Sequence, residues 1–144
     1  MIVVDDHHLF ALLAGQADPG FQAELSSSGV FTTSAWYYRL ARAAHDTRFL
    51  GALSRQIEAL DPDGRRLVLE LLDELPSAVG VLSPRVLVPV MAKLTGVQLN
   101  LLAAEAVGTA VILEAALCVV AASQPLAFAC EHFGIELVVS PVSG

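Results

Sequence analysis

Five short apolar runs recur along this chain, and they constrain its fold more than any other feature. They lie at residues 2–4, 30–33, 79–82, 117–121 and 135–139, and branched aliphatic residues dominate them. None shows the strict apolar–polar alternation of a strand with one face in water. Runs of this kind are strands buried on both faces. The segments between them carry helical spacing and helix stop signals. Leu9, Leu12 and Leu13 recur before Gly15, and a turn at Asp18-Pro19-Gly20 precedes a short helix near 21–25. Further helices are expected over 35–44 with Ser34 as cap, 48–60, 65–75 behind Asp61-Pro62, 84–94 behind Ser83, 99–116 and 125–133. Pro89 should kink or shorten the helix it lies in. Strands alternating with helices imply one three-layer α/β/α sandwich around a central, mainly parallel five-stranded sheet. No repeat or linker divides the 144 residues, so a single domain over 1–144 is expected.

Hydrophobic residues make up 55% of the chain, which argues against disorder and raises a membrane span as the rival. The most apolar stretch, 99–120, is interrupted by Asn100, Glu105 and Glu114. Glutamates near the middle of a span are costly, so a buried helix followed by a strand is the better reading. The start has neither the basic region nor the long apolar run of a leader peptide, which makes a cytoplasmic location the expectation. Cys118 and Cys130 sit in apolar surroundings and read as small buried hydrophobes.

The net charge of −7 opposes binding to nucleic acid by charge alone. The charge is unevenly placed. Residues 39–66 carry six arginines against four acids, a local excess of two positive charges. A polyanion would meet this segment with least repulsion, although arginines that solvate helix faces account for it equally.

The first strand ends in Asp5, Asp6, His7 and His8. Ligands of such sheets bind beyond the carboxyl ends of the strands, and a carboxylate placed there needs a partner. One aspartate can cap the next helix, which leaves one over. Asp6 is assigned to the cap and Asp5 to the site. Adjacent residues at a helix start point apart, so at most one of His7 and His8 should reach it.

At this point the sequence resembles a family. The opening MIVVDDHHLFALL is similar to the start of PIN-domain proteins, with a hydrophobic strand, an aspartate, a polar residue and an apolar helix. The later segment LNLLAAEAVGTAVILEAALCVVAAS resembles the part of that family in which an acid heads an alanine-rich helix before the fourth strand. The resemblance implies a toxin-type ribonuclease site in which acids hold Mg²⁺ or Mn²⁺, the metal activating water against an RNA phosphodiester. It puts Asp5 and Glu105 in the catalytic positions and Asp5, Asp6 and Glu105 around the metal, with His7 and Ser123 as substitutes or supporting groups. It also implies a homodimer and an antitoxin-like protein partner.

The departures are as informative. The family's second acid follows the second strand, where this chain has Trp36, Tyr37 and Tyr38 and no acid before Asp46. Its further acid, after the fourth strand, falls near Ser123, which can instead cap the last helix. Glu114 is nine residues beyond Glu105 and about half a turn out of phase. The aromatic trio suits core and interface anchoring as well as base stacking. The expectation is therefore a PIN-like scaffold with a depleted acidic site that works through dimer or partner contacts, the alternative being an active metal-dependent ribonuclease.

Overall fold

A computed structural model describes residues 1–46, 48 and 51–142. Strands β1 (Ile2–Val4), β2 (Val30–Thr32), β3 (Val79–Val81), β4 (Ala116–Val119) and β5 (Leu137–Val139) form one all-parallel sheet in the order β3-β2-β1-β4-β5. The expected sandwich is present, with β1 at its centre. Helices α1 (Asp6–Leu13) and α2 (Pro19–Ser27) follow β1, and α3 (Ser34–His45), α4 (Ala52–Glu58) and α5 (Pro62–Asp73) follow β2. Helices α6 (Pro84–Met91) and α7 (Leu101–Leu113) link β3 to β4, and α8 (Gln124–Phe133) links β4 to β5.

Period-two side-chain direction sorts the strands into two cores. Val4, Val30 and Cys118 face Leu9, Phe10, Leu40, Ile57 and Val68 from the helices of one layer. Val3, Leu117 and Val119 face Trp36, Val107, Leu126 and Ala129 on the other side. The alanine-rich helix is thin for a reason: a Cβ on Gly108 would stand 3.0 Å from Leu87 Cδ1 and 3.1 Å from Met91 Cγ, so α6 can approach α7 only over a bare backbone.

Several boundaries differ from the sequence expectation. Thr33, not Ser34, caps α3, its hydroxyl accepting from the Trp36 N–H. That frees the Ser34 hydroxyl for a tertiary contact. The helix expected over 99–116 is Leu101–Leu113, because Asn100 caps it and Glu114 turns left-handed at φ 51°. The helix holding Pro89 stops at Met91, short of residue 94. Of the helix expected over 48–60, Phe49 and Leu50 lie outside the described residues, and α4 covers Ala52–Glu58. The caps expected at Asp61, Ser83 and Ser123 are all formed. No described helix is long and apolar enough to cross a membrane.

Candidate functional site

The chain leaves β1 into a tight helix start, and Asp5 is the residue that closes it. Asp5 Oδ1 accepts the His8 N–H at 2.9 Å, the N-cap bond of α1. The assignment of the cap to Asp6 is thereby corrected: the cap needs extended backbone followed by three helical residues, and Asp5 has that conformation while Asp6 is already helical. The same Oδ1 also lies 2.8 Å from His8 Nδ1, and Oδ2 accepts the Val120 N–H at 2.8 Å. Both oxygens of this buried carboxylate are thus occupied by donors from α1 and from the end of β4.

The electrostatics follow from those bonds. Burial pushes the Asp5 carboxyl up, but the His8 side chain and backbone, the Val120 N–H and the His8 charge together hold it below its ordinary value. Burial alone would lower His8. The hydrogen bond to Asp5 and the contact with Cys118 overcome it and raise the imidazole to about 9. The two shifts describe one buried ion pair.

Asp6 is equally buried and differently placed. Its Oδ1 accepts the His7 N–H at 2.9 Å, while Oδ2 has no hydrogen-bond donor. Arg39 Nε stands 3.5 Å from Oδ2 as an ion pair without hydrogen-bond geometry. Burial pushes the Asp6 carboxyl above its ordinary value; Arg39 and His7 oppose this, and the neighbouring Asp5 charge adds to it. Asp6 lines a cavity of about 330 Å³ beyond the carboxyl ends of β1 and β4, together with Asp5, His7, Arg39, Asn100 and Ser123. Trp36 forms part of its apolar wall.

Glu105 is not on that wall. It lies one turn into α7, and its carboxylate is docked on the first turn of α3. Oε1 accepts from the Ser34 hydroxyl at 2.8 Å, and Oε2 accepts the Ala35 N–H at 3.1 Å. A carboxylate there satisfies an orphan N–H and complements the positive end of the helix. Asp5 and Glu105 therefore share the carboxyl edge of the sheet, beside adjacent strands, with each committed to capping a different helix.

The remaining candidates separate in the same way. Ser123 caps α8, its Oγ accepting from the Leu126 N–H at 3.3 Å. Asp46 is held by Arg48 at the far end of α3, and His45 lies 3.7 Å from Asp73. Glu114 ends α7 beside Ala115 and Ala116, away from the cavity. Trp36 is core, the Tyr37 hydroxyl donates to the Leu72 carbonyl, and Tyr38 is 67% exposed. Arg39, Asn100 and Cys118 lie outside the expected site residues, and of the two histidines weighed there it is His8, not His7, whose side chain reaches Asp5. His8 was discoverable, since it stands three residues after the cap, the position from which a side chain reaches back in a capping box.

Among the described residues, no three of His, Cys, Asp and Glu come together as a set able to hold a metal ion. The donor chemistry agrees. A divalent cation needs open carboxylate lone pairs; Asp5 has both oxygens on N–H groups, and Glu105 is turned to α3. The residues present do not fit the Mg²⁺ or Mn²⁺ cluster that the resemblance implies. No family model matches the chain, and a search of curated proteins found no match either.

Proposed function

We propose that the chain is a PIN-like binding domain whose acidic site has been converted into structural caps, and that it acts through contacts with a second copy or a protein partner. The observation that carries this reading is the engagement of both oxygens of Asp5, the residue on which metal chemistry would depend, by N–H groups of His8 and Val120. The binding surface is supported by large apolar side chains left in water. Val86 and Val88 on α6, Leu101 on α7 and Phe128 on α8 are all more than half exposed. These three helices pack in succession, and exposed apolar side chains on neighbouring helices suit a docking face.

One observation favours the alternative, a metal-dependent ribonuclease. Asp6, whose Oδ2 has no hydrogen-bond donor, lines the cavity together with Arg39 and His7. Calorimetric titration with Mn²⁺ and RNA cleavage with and without chelator separate the two. The binding-domain reading expects no heat of binding at millimolar Mn²⁺ and no chelator-sensitive cleavage. Cleavage that is lost in both Asp6→Asn and Asp5→Asn overturns it. Light scattering across concentration, on wild type and Val88→Asp, reads the dimer, which the substitution should weaken at least tenfold.

A further inference from the structure

A second polar group lies on the other face of the sheet, under α1 and α2. Cys118 Sγ is 3.7 Å from His8 Nε2, while the opposite ring nitrogen, Nδ1, is anchored 2.8 Å from Asp5 Oδ1. Sheet order creates this meeting. Val4 and Cys118 are partners in register, so the strand residue and the first helical turn after β1 face one another. With His8 held as the imidazolium by Asp5, Nδ1–H is directed to Asp5 and Nε2–H faces the Cys118 sulfur. That N–H and the imidazolium charge favour the thiolate over the thiol, while Asp5 balances the charge of the ring.

Cys118 also lines a cavity. Between α2 and the strands is a cavity of about 340 Å³ whose wall includes Cys118, Ile2, Val138 and Ser140 on one side and Gly20 and Phe21 on the other. Its charged wall residues are Asp18 and Glu24, so a neutral reagent enters with less repulsion than an anion. The chain contains its own control. Cys130 is as buried as Cys118 and packs with Ala106, Leu126 and Ala129, where burial pushes its thiol up.

We propose that Cys118 is a modification site, a thiol held against His8 and reached through the cavity beneath α2, which exchanges with small neutral disulfides. In the exchange the Cys118 thiol gives its proton to water, and the thiolate, facing the His8 imidazolium, attacks one sulfur of the disulfide. The new Sγ–S bond forms as the old S–S bond breaks. The departing thiolate takes a proton from water, so the disulfide is the only oxidant and one free thiol is released.

The test is the labelling rate of the native chain with 2-hydroxyethyl disulfide, followed by intact mass and peptide mapping. Cys118 should be labelled at least tenfold faster than Cys130, and the two should become equal in denaturant. His8→Gln should slow Cys118 at least fivefold and leave Cys130 unchanged. A merely structural role for His8 predicts the opposite, since loosening the packing would speed labelling. Native Cys118 labelling no faster than that of Cys130, or an unslowed folded His8→Gln variant, overturns the proposal. If that variant does not fold, the wild-type ratio decides alone. The readout is sulfur labelling, so its failure is distinct from a failure of the metal and RNA tests.

Discussion

The two sides of the β1 terminus make opposite use of adjacent aspartates. On the α1–α2 side, Asp5, His8 and Cys118 form a closed chain in which Asp5 has three donors from the protein. On the cavity side, Asp6 has the same 4% exposure, yet one of its oxygens lacks a donor and its arginine is poorly aligned. Burial acts alike on both carboxyls. What differs is the count of N–H groups aimed at each, and that count sets the sign of the shift: Asp5 is held low and Asp6 is pushed high. The difference separates an acid that stabilises the fold from one that it strains to keep.

The largest effect should come from removing the saturated side. Asp5→Ala leaves the His8 N–H, the His8 ring and the Val120 N–H without their acceptor. A loss of about 3 kcal/mol or more in urea unfolding is expected, the size for breaking a buried ion pair. A loss under about 1 kcal/mol would break the comparison.

Next comes pH. His8 rises from 6.5 to about 9 on folding, so it binds its proton more tightly in the folded state. Its contribution is full below about pH 6.5 and is lost as pH rises through 9. Asp5 is held below 3.8, so its contribution is present above that value and is lost as pH falls below it. The Asp5–His8 contribution should therefore plateau between about pH 4 and 6.5 and fall towards pH 10, the alkaline fall being absent in His8→Gln. Thermal melts across pH read this directly.

A smaller loss is expected for Glu105→Ala, about 1–2 kcal/mol, because a partly exposed cap is removed from α3 while Thr33 still caps the same helix. The smallest effect carries the opposite sign. Asp6→Asn removes a buried charge whose ionisation the fold opposes, and it should leave stability unchanged or raise it by up to about 1 kcal/mol. Destabilisation by more than that would show Asp6 to be as structural as Asp5.

The layer order and the central place of β1 were legible because they rest on local signals. Apolar runs buried on both faces, glycines after helices and Asp-Pro or Ser-Pro starts each act within a few residues. Choosing between Asp5 and Asp6 required more. The cap depends on where the extended backbone of Val4 ends, a boundary that the sequence leaves open by one residue, and a one-residue shift exchanged the roles of the two acids. Glu105 is legible as an acid at this edge of the sheet, but its docking on Ser34 and Ala35 is a contact across about seventy positions that no local pattern records. The neighbours of Cys118 in sequence mark it only as a small hydrophobe, and the pairing of β4 with β1 is what brings it to His8.

The central claim is that the Asp5 carboxylate belongs to the fold, with both of its oxygens engaged by N–H groups of the protein. Paramagnetic broadening by Mn²⁺ reads this at the atoms concerned, because an ion on Asp5 would lie within a few ångströms of the His8 and Val120 amides. In a ¹⁵N-resolved titration to millimolar Mn²⁺, those two amide signals should broaden no more than other buried amides. Selective loss of both at low Mn²⁺, abolished in Asp5→Asn, would contradict the account.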